Sequence, residues 1–313
     1  MMELRQLKYF IGIVDAGSVT RAAQHLHIAQ PALSAQIVNL ETELGVQLLV
    51  RSVRGVTCTK AGLTFYKHAQ QILRQCSQAF AATRNSGDDL SGKVSVGMPS
   101  SVGSLAGIAL LERIASAYPQ IRLQLTDSPS AYLTELLLRG RLDIAILFTG
   151  EPLKGLVCEE LFTESLLLIQ KAGSTPLGEL PDDVPLAEVA RLKLVLPIHP
   201  NALRVQVDAA FASLGLKPDL SAEINSMNIL AQVAASGVAA TINSWSTVAR
   251  ELDAGLLRAQ RIVEPEITRT LAICRSDSAP LSGATEVVYS QLHSLMAELV
   301  QQGWRGARPI AAA

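Results

Sequence analysis

The sequence predicts two kinds of fold in one chain, a helical N-terminal segment and a longer α/β region. Through the first 86 residues, apolar residues recur mainly at helical spacing, with one short alternating stretch. After residue 92, strand-like segments alternate with helix-like segments, which is typical of α/β folding. A chain of 313 residues also exceeds the size that one hydrophobic core usually supports, so at least two domains are expected.

The first three helices are predicted from apolar spacing and from residues suited to helix ends. Apolar residues over 4–16 indicate a first helix that stops at Gly17, and Ser18 suits the N-cap of a short second helix. In a third helix, Pro31 falls in the first turn, where its missing N–H costs no hydrogen bond, and Gly45 suits the C-cap. Two short helices joined by a tight turn are typical of the helix-turn-helix, whose second helix enters the DNA major groove.

The third helix is predicted to have an apolar face and a polar face. We expect the apolar face to be formed by Leu33, Ile37, Leu40 and Leu44. Glutamine can pair with an adenine edge, and serine can bond to bases or phosphates, although such residues can also simply face water. The candidate DNA-contacting residues on the polar side of this helix are Gln30, Ser34, Ala35 and Gln36.

The stretch after the third helix is predicted to form a basic hairpin. Residues 48–62 alternate apolar and polar positions around Arg51, Arg54 and Gly55. A hairpin beside the third helix would place Arg51 or Arg54 against the phosphate backbone or in the adjacent minor groove. Residues 1–86 carry nine Lys/Arg against four Asp/Glu, whereas the rest carries 18 against 24, so a polyanionic partner is expected on the N-terminal side.

A long helix is predicted next, with Thr59 as its cap and its end near residue 86. One face has the heptad spacing of a coiled-coil seam, formed by Phe65, Ala69, Ile72, Cys76, Ala79 and Thr83. A single helix of this kind pairs most simply with a second copy of itself. We therefore expect a homodimer that presents two third helices to two DNA half-sites.

The region after the Gly-, Ser- and Asp-rich hinge at 86–98 is predicted to be α/β with mostly parallel sheets. Predicted helices cover 103–117, 131–140, 201–215, 227–236 and 284–303. Small polar residues follow several strand-like segments, for example Ser100, Ser128 and Asn201. They either cap helices or border a crevice that favours an anion, because strand ends and helix N-termini meet there.

Several classes of protein are not expected. The chain lacks the run of about 18 apolar residues that spans a membrane, and its N-terminus lacks a signal-peptide layout, so we expect a cytoplasmic protein. No phosphate-binding glycine loop, zinc-protease motif or serine-hydrolase motif occurs after residue 86, so neither an enzymatic activity nor a cofactor is predicted. The widely separated Cys58, Cys76, Cys158 and Cys274 predict isolated thiols, with neither a metal site nor a disulfide framework.

The N-terminal motif A-A-x-x-L-x-I-x-Q-P-A-L-S-x-Q-I-x-x-L-E-x-x-L-G resembles the winged helix-turn-helix of the LysR-type transcriptional regulators. The resemblance runs from Met2 to about residue 86 and continues more diffusely to the C-terminus. It implies that Gln30, Pro31 and Ser34 approach base edges and that Arg51 and Arg54 belong to the wing. Position 35, often Arg in this family, is Ala here, which leaves the operator sequence open.

The resemblance also implies the organisation of the whole chain. By this resemblance, the N-terminal domain is an all-α winged helix-turn-helix. The rest of the chain is an α/β sensor region, which forms a two-lobed effector domain similar to periplasmic binding proteins. The chain would cross between the lobes near 160–164 and 265–269. The implied divisions are 1–58 for DNA binding, 59–87 for the linker helix, 88–92 for the hinge, 93–161 with 268–303 for subdomain I, 162–267 for subdomain II, and 304–313 for a tail. The implied effector-binding residues are Ser100, Ser101, Thr126, Ser128, Phe148, His199, Asn225 and Ser226.

The resulting expectation is a ligand-responsive regulator that reads an interrupted palindrome in double-stranded DNA. Its effector would be a small organic or inorganic anion, and it would assemble as a homodimer or homotetramer through the linker helix and the effector domains. RNA polymerase is a further implied partner, and no membrane is expected. Two alternatives stay open: a redox-sensing regulator of the same fold, which needs an accessible thiol, and a ligand-binding or enzymatic α/β protein with a helical extension.

Overall fold

The computed structural model describes residues 2–52, 55–84, 90–150, 152–173, 182–278 and 280–310. Contacts divide the chain into two units, residues 1–88 and 89–313. Among the helices of the described ranges, none has both the length and the hydropathy required to span a bilayer.

The first unit is helical with a two-stranded wing. Its elements are α1 (Leu4–Ala16), α2 (Val19–His25), α3 (Gln30–Leu44), β1 (Leu49–Ser52), β2 (Gly55–Cys58) and α4 (Lys60–Arg84). The predicted helix ends are confirmed: Gly17 and Gly45 adopt left-handed φ angles of 61° and 68°. The Ser18 side chain accepts from the backbone N–H of Arg21, and the Thr59 hydroxyl accepts from that of Gly62. These local hydrogen bonds fix where α2 and α4 begin.

The core of the first unit joins α1, α3 and α4. Leu33, Ile37 and Leu40 are fully buried, as predicted from their spacing. Each such side chain contributes about 1.5–3 kcal/mol by leaving water. The prediction was wrong for Leu44, which is 37% exposed because the last turn of α3 extends beyond the core. From α4, Phe65 packs edge-on against Phe10 with ring centroids 5.2 Å apart.

The second unit contains two lobes, and the first is built on a six-stranded sheet. Its strands are β3 (Gly92–Met98), β4 (Ile121–Asp127), β5 (Ile144–Thr149), β6 (Leu156–Ser165), β13 (Thr268–Ser276) and β14 (Ala307–Pro309). Its helices are α5 (Ser100–Ala117), α6 (Ser130–Leu138) and α11 (Gly283–Gln301). The strand order is β14-β6-β13-β5-β3-β4, so the last part of the chain adds an edge strand to β6.

The second lobe has a four-stranded and a two-stranded sheet. Its strands are β7 (Leu167–Lys171), β8 (Asp183–Pro185), β9 (Lys193–Leu196), β10 (Asp219–Glu223), β11 (Thr241–Asn243) and β12 (Leu257–Val263). Its helices are α7 (Leu186–Val189), α8 (Ala202–Ser213), α9 (Met227–Ser236) and α10 (Trp245–Asp253). The strand orders are β11-β7-β12-β8 and β10-β9.

The expectation of mostly parallel sheets was wrong. Strand β3 is parallel to β4 and β5, but β13 is antiparallel to both β5 and β6, and β12 is antiparallel to β7. The reason is the double crossing between the lobes: the chain leaves on β6 and returns on β13 in the opposite direction. The crossings lie between β6 and β7 and between β12 and β13, where the backbone N–H of Leu166 donates to the carbonyl of Ile267 at 2.8 Å.

The expectation of isolated thiols was wrong for two of the four cysteines. Cys158 on β6 and Cys274 on β13 lie directly opposite each other and form a disulfide, with Cα atoms 4.1 Å apart. The two cysteines are 116 residues apart in the sequence, so no local pattern predicts that they pair. Cys58 and Cys76 are free, and burial raises the pKa of the Cys58 thiol.

Candidate nucleic-acid interface and ligand cavity

The first two turns of α3 contain the residues of this helix that are predicted to contact DNA. Gln30, Pro31 and Ala35 are exposed, whereas Ser34 and Gln36 are half-buried. The Gln30 side-chain amide donates to the Ser34 hydroxyl at 3.1 Å, so these two polar groups lie together one turn apart. An amide and a hydroxyl presented side by side at a helix N-terminus have the chemistry required to bond to base edges.

The wing lies beside α1 and α3 through backbone contacts that the sequence did not indicate. The Glu41 carboxylate on α3 accepts from the backbone N–H groups of Leu48 at 2.7 Å and Leu49 at 3.0 Å. The backbone N–H of Val56 donates to the carbonyl of Gly17 at 3.0 Å. These bonds fix the position of the wing relative to α3. Arg51 is exposed on β1 opposite Val56, and Arg54 lies outside the described residues.

A cavity of about 690 Å³ lies in the second unit where four helices begin. Its lining includes the first residues of α5, α6, α8 and α9, which are Ser100, Ser130, Ala202 and Met227. The volume is within the range of small-molecule sites. Helix N-termini carry partial positive charge and unpaired N–H groups, so their convergence favours an anionic group.

The structure brings together six of the eight residues predicted to bind an effector. Ser100, Ser101, Ser128, Phe148, Asn225 and Ser226 all line the cavity. Thr126 and His199 do not. Thr126 precedes Asp127 on β4, and because strand side chains alternate, Asp127 is the one in the lining. The ring of His199 turns instead to Asp208, with Nε2 and Oδ2 2.7 Å apart, and the side chain is 52% exposed.

The hydroxyl groups of the lining have different roles. The Ser226 hydroxyl accepts from the backbone N–H of Ile229, as an N-cap does. The Ser130 hydroxyl accepts from the N–H of Phe148 at 3.1 Å and joins α6 to the end of β5. By contrast, Ser100 donates to Asp127 Oδ1 at 2.6 Å. Capping therefore explains Ser226, whereas Ser100 orients a carboxylate at the cavity.

Arg269 lines the cavity from β13 and is only 7% exposed. Its Nε donates to Glu164 at 2.6 Å, and its Nη2 donates to the Ser244 hydroxyl at 2.8 Å. The guanidinium carbon lies 3.4 Å from the centroid of the Phe148 ring, a cation–π contact. Burial lowers the pKa of Arg269, and the Glu164 carboxylate opposes that shift. Sequence reasoning missed Arg269, since its neighbours come from distant parts of the chain.

Comparison with known proteins decides the family. Residues 87–297 match the family of the LysR substrate binding domain. Residues 4–63 match the family of the bacterial regulatory helix-turn-helix proteins, lysR family. The chain belongs to the LysR family. The first match contains the cavity, and the second contains α3 and the wing.

Relatives of this LysR-type regulator align along nearly its whole length. It is 39% identical to the nitrogen assimilation regulatory protein nac of Klebsiella aerogenes over 94% of this chain and 95% of the relative. It is 37% identical to the protein of the same name in Escherichia coli K12, over 96% and 97%. A solved full-length OxyR variant from Pseudomonas aeruginosa shares the fold, with a TM-score of 0.74, 22% identity, and coverage of 100% of this chain and 99% of that one. This regulator thus combines a DNA-binding helix-turn-helix domain with an effector-binding domain.

Proposed function

We propose that the regulator reads its operator through the first two turns of α3 and contacts the DNA backbone through the wing. Gln30 and Ser34 would bond to base edges, with Pro31 and Gln36 beside them and the Ala35 methyl against a thymine methyl. Arg51 and Arg54 would contact phosphates or the minor groove. The exposure of Gln30 and Arg51, together with the bonds from Glu41 that fix the wing against α3, supports this assignment.

The operator would be an interrupted palindrome read by a homodimer. Two residues of the predicted seam, Phe65 and Ala69, pack inside their own unit and are not available to a second copy. Elsewhere on α4, Leu63 is 55% exposed and Phe80 is 70% exposed within one chain, so this helix has apolar surface for a second copy. Two-fold pairing would present two α3 helices to two half-sites. The effector domains would join dimers into a tetramer, and RNA polymerase would be the partner at the promoter. We place this activity in the cytoplasm, where operator DNA lies.

The effector would be a small organic or inorganic anion bound in the cavity, without turnover. The observation that carries this proposal is the convergence of four helix N-termini on one cavity of about 690 Å³ that also contains Arg269. An effector that contacts both lobes stabilises the arrangement in which they lie close together. Such a ligand shifts the population only if it binds that arrangement more tightly than the open one.

Operator binding by the full-length protein tests this function. Fluorescence anisotropy with a labelled operator, measured at increasing salt, should show affinity falling linearly on a log–log plot, since phosphate contacts release counterions. A panel of small carboxylates, sulfate and phosphate should contain at least one member that changes operator affinity and raises the melting temperature. A flat salt dependence would contradict the phosphate contacts, and a panel without effect would contradict the anionic effector.

The disulfide supports a second candidate, a redox-responsive regulator of the same fold. Peroxide would take two electrons from the Cys158 and Cys274 thiols, form the S–S bond, and be reduced to two molecules of water. The bond links β6 and β13, the strands that lead into and out of the second lobe. Operator affinity of the oxidised and reduced protein should then differ, and Cys158→Ser should abolish the difference. Equal affinities would rule this candidate out.

A further inference from the structure

The cavity carries two opposite side-chain charges. Among the described residues that line it, only Asp127 and Arg269 are ionisable. Asp127 ends β4, and Arg269 lies near the start of β13. Two strands, β5 and β3, lie between β13 and β4 in the sheet. The backbones of β13 and β4 are therefore three interstrand distances apart, about 14 Å. Arg269 is already paired with the buried Glu164, whereas Asp127 is exposed and has no ion pair among the described residues.

Asp127 is an acceptor with unused capacity. Its Oδ1 accepts from the Ser100 hydroxyl at 2.6 Å, and Oδ2 has no hydrogen-bond partner in the part of the chain that the structure describes. An ionised carboxylate only accepts hydrogen bonds, through about four lone-pair positions on two oxygens. A ligand ammonium supplies three donors and a positive charge, so it matches Asp127. A carboxylate placed beside Asp127 would be repelled.

Arg269 is a donor with unused capacity, held in place by its neighbours. Its Nε and Nη2 are engaged by Glu164 and Ser244, while Nη1 has no hydrogen-bond partner within the described ranges. A guanidinium has five N–H donors in a fixed plane, a geometry that matches the oxygens of a carboxylate or a phosphate. The ring of Phe148, 3.4 Å away, and the buried Glu164 hold this plane at the cavity wall.

We propose that the effector is a zwitterion, an amino acid that carries one ammonium and one carboxylate group. The ammonium binds Asp127 and the carboxylate binds Arg269. A plain carboxylate leaves Asp127 unpaired, and a plain amine leaves the donors of Arg269 unused. A ligand that carries both groups can bond to both side chains. This inference rests on the proposed function, in that it takes the same cavity as the effector site and specifies that the anionic group bound there is the carboxylate of an amino acid.

Thermal stabilisation of the full-length protein by the protein amino acids tests the inference. The amino acid that raises the melting temperature of the protein most is compared with two matched probes, its des-amino carboxylate and its decarboxylated amine. Calorimetric titration measures the affinity of the protein for all three compounds. We expect the amino acid to bind at least tenfold more tightly than either matched probe. Equal binding by the des-amino carboxylate would overturn the zwitterion and leave the anionic effector site intact. Absence of binding by amino acids, carboxylates and inorganic anions alike would overturn both.

The variant Asp127→Asn separates the two ligand groups. Removing the negative charge should weaken binding of the amino acid at least tenfold. Binding of the des-amino carboxylate should stay unchanged or become tighter. The matched control is Asp253→Asn, since Asp253 is an exposed aspartate at the end of α10 that does not line the cavity. The same loss in both variants, or no loss in Asp127→Asn, would overturn the assignment of the ammonium to Asp127.

Discussion

Trp304 donates its indole N–H to Glu164 at 2.8 Å, and the other oxygen of Glu164 accepts from Arg269 at 2.6 Å. Trp304 follows α11 and is 3% exposed, whereas Arg269 lines the ligand cavity. One buried carboxylate thus connects the C-terminal part of the chain to the cavity wall. Of the residues expected to form a tail, Trp304 belongs to the core and Ala307–Pro309 form an edge strand of the sheet.

We expect Trp304→Phe to destabilise the protein because it leaves one oxygen of the buried Glu164 without a donor. The cost of such an unsatisfied group is about 1–3 kcal/mol, measurable by urea unfolding. The matched control is Trp245→Phe, since the indole nitrogen of Trp245 is buried without a hydrogen-bond partner in the described structure. Equal losses in the two variants would contradict a specific role for the bond to Glu164.

Glu164→Gln should be more damaging, because it leaves the cation of Arg269 buried without a counter-charge. Breaking a buried ion pair from one side costs about 3–5 kcal/mol. The exposed Glu160, four residues earlier on β6, provides the control, and Glu160→Gln should lie within about 0.5 kcal/mol of wild type. Urea midpoints of the two variants give the comparison. A loss below 1 kcal/mol for Glu164→Gln, on the order expected of an exposed pair, would contradict the burial argument.

Local signals in the sequence were sufficient to predict the wing and the helices of the first unit, whereas α7 and α10 of the second unit were not predicted and the ligand site was only partly predictable. Gly17, Ser18 and Gly45 determine helix ends through bonds to residues a few positions away, so their roles can be read directly from the chain. Arg269 and Glu164 are 105 residues apart and meet only because β6 and β13 pair in one register. The sequence contains no local signal for such a pair.

Two of the predicted effector-binding residues lie outside the cavity lining. At the end of β4, Asp127 lies in the lining and Thr126 does not, because successive strand side chains point to opposite faces. The His199 imidazole pairs with Asp208 on the following helix, with Nε2 and Oδ2 2.7 Å apart.

Stability should fall in acid partly through Glu266. The hydrogen bond from Arg308 lowers the pKa of this carboxyl below its ordinary value of 4.5, with the Ser165 hydroxyl adding a second bond at 2.6 Å. Because the pKa is lower in the folded state than in the unfolded state, the ionised carboxyl stabilises the protein at pH values above the unfolded-state pKa. This stabilisation is lost as the pH falls through the folded-state pKa. The pair is partly exposed, so the effect should stay below about 1 kcal/mol.

Urea unfolding of Glu266→Gln at a series of pH values measures this contribution. The difference in free energy of unfolding from wild type should be constant above pH 4.5 and should shrink at lower pH. Glu112→Gln, at an exposed glutamate on α5, should show no such pH dependence. A difference that grows toward acid would reverse the sign and contradict the ion pair with Arg308.

Gln30→Ala should reduce discrimination between operator and unrelated DNA. A bidentate contact to one base is worth about 1–3 kcal/mol, so the ratio of the two affinities should fall at least several-fold while nonspecific binding keeps its salt dependence. Gln47→Ala provides a control at an exposed glutamine outside α3. Anisotropy with operator and scrambled duplexes gives both ratios, and an unchanged ratio for Gln30→Ala would show that Gln30 does not read a base.

Arg51→Ala should weaken DNA binding without reducing discrimination between operator and unrelated DNA, because a phosphate contact carries no sequence information. Binding to operator and scrambled duplexes should weaken by a similar factor, and the slope of log affinity against log salt should decrease by about 1 per site. Arg5→Ala is the control, since Arg5 is exposed on α1 and already paired with Glu3 at 3.1 Å. If Arg51→Ala changed discrimination without changing the salt slope, the wing would contact bases and not the backbone, and the division of work between α3 and the wing would have to be reversed.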